Sequence, residues 1–235
     1  KFGGKSVKNP KAIYNLKEIV SSYKENLVIV ISAIDKTTNK LELVWKSYLG
    51  NETLKSAEIA TEIIKFHEAI IDDLELNNDA GFLKLFNDLA LELVDYIGAK
   101  TKQENNISYS KIVSFGELFS TLIISSYLNK EDVENTWIDA REFIKTSNNA
   151  TDSRVNWEET KRKINSNLSK NKTYLTQGFI GSNLNGLTTT LGREGSDFSA
   201  AIFAWSMDVE EVIIWKDVDG LSLIHISEPT RLGFI

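Results

Sequence analysis

The run from Leu27 to Ser32 constrains the fold most, because it is continuous, largely apolar and rich in β-branched residues. A strand with one face in water alternates between apolar and polar residues, whereas a strand covered on both faces is apolar throughout. The run therefore predicts a strand buried on both faces. Such strands belong to parallel sheets, whose neighbouring strands are connected by helices.

Helical patterns alternate with further short apolar runs along the chain. Asn9 before Pro10 is typical of a capped helix start, and apolar residues follow at steps of three and four. Helices are also predicted around Ile59–Ile70, Phe82–Leu93, Tyr109–Leu128 and within Thr151–Leu168, and strands at Thr136–Asp139, Tyr174–Ile180 and Val212–Trp215. The alternation predicts an α/β fold with a mostly parallel sheet covered on both faces, whose ligands bind where the strands end.

Composition excludes several classes of function. A net charge of −6 without a sustained basic run argues against binding of nucleic acid or anionic membranes. The apolar run Leu27–Ile31 is too short to cross a bilayer. The absence of cysteine excludes disulfides and thiolate chemistry and favours the cytoplasm. His67 lies in a helical pattern, so we expect a structural role for it and neither a histidine metal site nor a Ser-His-Asp triad.

The segment from Gly186 to Asp197 predicts an anion site. A threonine-rich strand enters a loop containing Gly192 and Arg193, and Ser196-Asp197 then opens a short apolar helix. Glycines let a ligand approach the main chain, helix amides point out of the first turn, and the Arg193 guanidinium suits a carboxylate or phosphate. The alternative is an ordinary strand–turn–helix connection capped by Ser196.

The first residues, Lys1-Phe2-Gly3-Gly4-Lys5-Ser6, form a second glycine loop. Its amides are suited to phosphate, with Lys1 as the counter-charge. The spacing is not that of a P-loop, and a plain turn is the alternative.

These segments occur in a specific order with the polar loop Ser32–Asn39, with Ser114-Phe115-Gly116-Glu117 and with Trp215-Lys216-Asp217. In order and chemistry the chain resembles the aspartate kinases of the amino acid kinase family, from Lys1 to about Gly220. The resemblance implies a three-layer αβα sandwich. It also implies phosphoryl transfer from ATP to the side-chain carboxylate of L-aspartate, with Mg²⁺ held through the nucleotide phosphates, in a cytoplasmic homo-oligomer.

Carried over by motif, the resemblance implies a role for each site residue. Lys1 would neutralise the transferring phosphoryl group, and Asp197 would orient Lys1. The implied substrate-binding residues are Thr38, Glu117, Arg193 and Ser196, with Glu117 accepting from the substrate ammonium group. The implied nucleotide-binding residues are Lys1, Gly3, Gly4, Lys216 and Asp217, with the two glycines donating amides to phosphate oxygens.

Structural alternatives remain for these residues. Glu117 is also compatible with a solvated helix position, Asp197 with a first-turn carboxylate favoured by the helix dipole, and Thr38 with a helix cap. Three other interpretations remain: a related kinase acting on acetylglutamate, glutamate or a nucleoside monophosphate, a non-catalytic anion-binding module, and a structural fragment that binds no ligand. A carboxylate at Glu117 favours a substrate with a free ammonium group.

Four positions depart from the family pattern. Lys5 replaces a small residue or threonine, Phe115 replaces a common histidine, and Asp35 and Glu194 replace frequent glycines. Glu194 places an acid beside Arg193.

Both ends of the chain depart from expectation as well. The chain begins directly at its glycine loop, and residues 221–235 resemble the translation of an adapter used to prepare sequencing libraries. We therefore expect a catalytic domain at residues 1–220 that is truncated at both ends, and a non-native tail at 221–235. We also expect such a fragment to be weakly active or inactive.

Overall fold

The computed structural model describes residues 1–99 and 104–216, so Asp217 and the predicted tail at 221–235 lie outside the described residues. A short 3-10 helix at Gly4–Val7 precedes the regular elements. The helices are α1 Pro10–Ser21, α2 Thr37–Leu49, α3 Thr53–Asp73, α4 Ala80–Gly98, α5 Asn105–Lys130, α6 Ala140–Phe143, α7 Trp157–Asn167 and α8 Gly195–Met207. The strands are β1 Val28–Ile31, β2 Thr136–Ile138, β3 Lys145–Thr146, β4 Tyr174–Gln177, β5 Ile180–Asn183 and β6 Thr188–Thr190.

Strand β1 lies in a parallel sheet of order β1–β4–β2, as its continuous apolar pattern predicts. Residues 1–3 run parallel to β1, because the Phe2 amide donates to the Val30 oxygen and the Ser32 amide donates to the Phe2 oxygen. On their other side Trp215 pairs with Phe2 in the same direction. The sequence predicts a strand at Val212–Trp215, but the structure has only an isolated bridge there. Within the described part of the chain, Trp215 pairs with Phe2 and with no other residue.

A second sheet has the order β3–β5–β6 and is mixed. Strands β3 and β5 are parallel, whereas β5 and β6 form an antiparallel hairpin. The turn of this hairpin contains Gly186 at φ +80°, a conformation that glycine adopts without strain. The hairpin carries the chain back toward the first sheet and delivers it to the loop that starts α8.

Helix α5 is the central packing element. It contacts β1, β2 and β4 on the sheet side and α2, α3 and α4 on the other. By length and composition it is apolar enough to cross a membrane, but 83% of its most apolar 18-residue window is buried within the domain. Helix α8 packs on β1 and β5. The predicted αβα arrangement around a mostly parallel sheet is therefore confirmed.

Several predicted boundaries shift by a few residues. Asn9 caps α1 as predicted, since its side chain accepts from the Ala12 amide at 3.0 Å. Helix α2 begins at Thr37, inside the stretch predicted as loop, and α8 begins at Gly195 rather than at Ser196. The cap position of α8 is held by Glu194 in the left-handed conformation, with no side-chain cap hydrogen bond. Ser196 is therefore not the cap.

Parallel strands place the ends of several loops at one edge. Gly3 follows Phe2, Ala33 follows β1, Gly178 follows β4 and Lys216 follows Trp215, all at the carboxyl ends of parallel segments. This edge is where sheets of this class bind ligands.

Candidate active site

Asp197 lies in the first turn of α8 and is clamped between two lysines. Its Oδ1 is 2.5 Å from Lys1 Nζ, and its Oδ2 is 2.9 Å from Lys216 Nζ. Lys216 Nζ is also 3.4 Å from Glu194 Oε2, so the four groups alternate in charge. Partial burial acts to raise the pKa of Asp197, but the hydrogen bonds from Lys1 and Lys216 outweigh it and keep this pKa below its usual value.

Close packing at Gly178 holds the start of α8 against the end of β4. A Cβ atom at Gly178 would lie 2.5 Å from Ser196 Cβ and 2.6 Å from Ser196 Oγ, closer than any side chain allows. The Phe179 amide also donates to Ser199 Oγ at 2.9 Å. Ser196 is therefore half-buried and faces the main chain of the β4 end.

The first glycine loop packs on the loop after β1. A Cβ atom at Gly4 would lie 2.6 Å from the Ala33 carbonyl oxygen, so this close approach requires glycine. The Gly3 amide donates to the Trp215 oxygen at 3.2 Å. In this conformation the Gly3 amide therefore pairs with the sheet, and its predicted role in phosphate binding stays a prediction. Gly4 opens the 3-10 helix, whose first amides have no partner within the helix.

Glu117 lies in the buried middle of α5 and points at the loop after β1. Its side chain is 3% exposed. Oε1 accepts from the Ala33 amide at 3.2 Å, and the buried Oε2 has no hydrogen-bond partner within the described residues. Desolvation raises the pKa of Glu117 to about 8, against the smaller lowering effect of the Ala33 amide. Glu117 is therefore not the solvated helix residue that was the alternative.

A glycine one residue earlier brings α2 and the β1 loop close to Glu117. A Cβ atom at Gly116 would lie 2.9 Å from Ala33 Cβ and 3.2 Å from Leu41 Cδ1. The absence of a side chain there lets α2 start beside Glu117. Thr38 occupies the first turn of α2 and is half-buried, not at the cap position, which is Lys36.

Arg193 is exposed in the loop before α8 and has no hydrogen-bond or ion-pair partner among the residues that the structure describes. The structure thus brings Lys1, Asp197 and Lys216 into direct contact and leaves the Arg193 guanidinium open to solvent. The remaining nucleotide-binding prediction, Asp217, lies outside the described residues.

Three features of the site were missed by the sequence-based reasoning. The peptide groups of Ala33 contact both Gly4 and Glu117, and an alanine in the sequence gives no indication of such a role. A Cβ atom at Gly192, at φ +74°, would lie 2.3 Å from Asp152 Oδ1, so the segment around Asp152 supports the arginine loop. The Phe2 and Trp215 rings stack at 6.0 Å, a pairing that two isolated aromatic residues do not indicate.

Both glycine-replacing acids adopt left-handed main-chain conformations. Asp35 has φ +49° and Glu194 has φ +56°. A glycine fits these conformations without a steric penalty, which accounts for the glycines that the family pattern has there.

Residues 1–224 match the amino acid kinase family. Because this match covers nearly all of the 235 residues, the chain belongs to that family. Its resemblance to the aspartate kinases within the family is confirmed by curated relatives. Over 99% of its length it is 33% identical to the chloroplastic bifunctional aspartokinase/homoserine dehydrogenase 2 of Arabidopsis thaliana, of which it covers 26%. Over 97% of its length it is 31% identical to lysine-sensitive aspartokinase 3 of Escherichia coli, of which it covers 50%.

Solved structures agree with this assignment. Escherichia coli aspartokinase III in complex with aspartate and ADP matches with a TM-score of 0.82 and 28% identity, over 93% of this chain and 48% of that one. The chain therefore spans half or less of the length of these relatives.

Proposed function

We propose that this chain is the catalytic domain of a kinase that transfers the γ-phosphoryl group of ATP to the side-chain carboxylate of L-aspartate. The product is 4-phospho-L-aspartate, and the reaction opens the biosynthesis of lysine, threonine and methionine. The observation that carries the proposal is the arrangement at one sheet edge of Lys1, held by Asp197, and the buried acid Glu117. A related structure that contains aspartate and ADP supports the choice of substrates.

The two reactants are anions, so catalysis requires positioning and compensation of negative charge. Lys1 Nζ is the best-placed cation for the transferring phosphoryl group, because its side chain is 6% exposed and Asp197 fixes its direction. The amide of Gly4 and the ammonium of Lys216 are available for the remaining phosphate oxygens. Asp217 is proposed to contact the nucleotide next to Lys216.

The amino acid lies on the other side of this phosphate site in our proposal. Glu117 accepts from its ammonium group, and Arg193 donates to a substrate carboxylate with its planar pair of N–H groups. The hydroxyls of Thr38 and Ser196 add hydrogen bonds. The free guanidinium of Arg193 suits this role, since no described residue competes for it.

Mg²⁺ enters the proposal with the nucleotide. Among the described residues no group of three or more histidine, cysteine, aspartate or glutamate side chains is arranged to hold a metal ion. The ion would therefore be bound mainly by phosphate oxygens, where it offsets their charge.

The proposal includes a cytoplasmic homo-oligomer. The location rests on the likeness to bacterial aspartokinases such as that of Escherichia coli, whereas the plant relatives are named as chloroplastic. Fractionation with a marker enzyme tests the location, and light scattering tests the oligomer.

The full-length protein tests the activity directly. We expect ADP release that depends on L-aspartate, with trapping of the acyl phosphate by hydroxylamine. Arg193→Met should raise KM for aspartate by roughly 10- to 100-fold, the value of a charge-assisted hydrogen bond. Arg154→Met removes another exposed arginine and should change KM less than about twofold. Phosphorylation of acetylglutamate or a nucleoside monophosphate, without any of aspartate, would contradict the proposal.

A further inference from the structure

Glu117 is a buried acid that forms no ion pair with any residue in the described part of the chain. Within the described residues its Oε1 accepts from the Ala33 amide, and its Oε2 has no hydrogen-bond partner although it is buried. Asp197, by comparison, has a lysine on each oxygen. An unpaired carboxylate in such surroundings is strongly disfavoured relative to the neutral acid.

Neighbouring elements supply no counter-charge to Glu117. The loop after β1 carries Asp35 and Lys36, and α2 carries Lys40 and Glu42; none of these forms an ion pair with Glu117. The first glycine loop contributes Lys5, which is exposed, and Lys1, whose ammonium is held by Asp197. Within α5, Tyr109 donates to Glu42 rather than to Glu117. The raised pKa of Glu117, about 8, agrees with this arrangement.

We propose that Glu117 is a neutral acid in the ligand-free protein and that the ammonium group of the substrate displaces its proton on binding. The inference rests on the proposed function. The O–H bond of the Glu117 carboxyl group breaks, its proton passes to solvent, and the resulting carboxylate pairs with the incoming ammonium group. One positive charge leaves the pocket as another enters, so the buried site keeps its net charge.

This exchange makes Glu117 a specificity-determining residue. A free amino acid carries the cation that replaces the proton, whereas an N-acylated one carries none there. The N-acylated compound would leave Glu117 protonated and would gain no ion pair. Selection for a free ammonium group therefore does not require a resting carboxylate.

Calorimetry on the full-length protein tests the proposal. L-Aspartate is titrated at about pH 7 in phosphate and in Tris, whose ionisation enthalpies differ, so that the difference in heat gives the protons released. We expect nearly one proton per aspartate bound. Glu117→Gln should release none, and Glu58→Gln, a change at an exposed glutamate of α3, should behave as the wild type.

A second measurement on the wild type covers the case in which Glu117→Gln fails to bind or fold. The affinity for aspartate should rise about tenfold per pH unit from about pH 6 to 7.5 and level off above about pH 8. Binding with no proton release and a flat pH profile would overturn the inference and leave the proposed function standing. Failure of aspartate to bind at any pH would overturn both.

Discussion

Asp197 and Glu117 are two carboxyl groups at the same sheet edge with opposite surroundings. Asp197 opens helix α8, where the helix dipole favours negative charge, and each of its oxygens meets a lysine. Glu117 sits in the middle of α5, where it accepts from the Ala33 amide and pairs with no cation of residues 1–99 and 104–216. The pKa of Asp197 is lowered and that of Glu117 is raised to about 8. Two acids of similar intrinsic strength thus acquire opposite pKa shifts from their neighbours, a pattern common in active sites.

The largest effect on activity is expected from changes to the ion pair of Lys1 and Asp197. Lys1→Met should lower kcat of the full-length protein by about 100-fold, because it removes the cation that we propose for the developing charge. Lys5→Met removes an exposed lysine of the same loop and should change kcat less than about twofold. Steady-state kinetics with saturating ATP and aspartate measures both. Equal losses in the two variants would mean that the Asp197 pair has no special role.

For Glu117 we predict that the free energy of unfolding depends on pH. Because the folded pKa of Glu117 is raised from 4.5 to about 8, the folded state holds its proton more tightly than the unfolded state does. The contribution of Glu117 to stability is therefore fully present below about pH 4.5 and is lost as the pH rises toward 8. Between about pH 6.5 and 8 the wild type should lose roughly 1 to 2 kcal/mol relative to Glu117→Gln.

Other buried titratable groups, among them His67, are present in both proteins and drop out of the difference between them. His67 is fully buried between Phe66 and Phe119, and burial lowers its pKa to about 4. The contribution of His67 to stability therefore decreases as the pH falls below 6.5, whereas that of Glu117 increases as the pH falls. Urea unfolding at a series of pH values, with the wild type and Glu117→Gln side by side, measures the difference. A constant difference across the range would show that Glu117 titrates normally.

The smallest effect is expected on stability, from Glu194 and Asp35, the two residues near the site with left-handed main-chain conformations. Glu194→Gly should raise the free energy of unfolding by about 0.5 kcal/mol, since glycine relieves the left-handed strain while the exposed pair with Lys216 is worth little. Asp35→Gly should change it by less, because aspartate tolerates this conformation better than glutamate does. Glu194→Ala keeps the strain and serves as the control in thermal unfolding. Stabilisation by alanine as large as that by glycine would refute the strain argument.

Much of the fold follows from local sequence patterns. The continuous apolar run predicts β1, the Asn9-Pro10 pair predicts the start of α1, and the apolar spacing predicts α3, α4 and α5. These elements depend on which residues must be buried, and a single sequence displays that directly. The β5–β6 hairpin was not predicted, although the Asn-Gly turn before β6 is a signal for it.

The site itself was only partly predictable. The charged groups are visible in the sequence, and motif order brings them to one edge. Other features depend on how closely the main chains of distant segments approach each other. These are the hydrogen bond from the Gly3 amide to Trp215, the contacts of Ala33, and the packing of Gly178 against Ser196. Periodicity carries no information about such distances. The protonation proposed for Glu117 likewise depends on which charged groups of the described residues come near it, and no local pattern records that.

The peptide groups of Ala33 contact both halves of the site, the first glycine loop and Glu117. Its N–H donates to Glu117 and its carbonyl oxygen packs against Gly4, so one residue contacts both the acid and the first glycine loop. A shift of this loop on nucleotide binding would also displace the amide that donates to Glu117. We therefore expect the two reactants to bind cooperatively rather than independently.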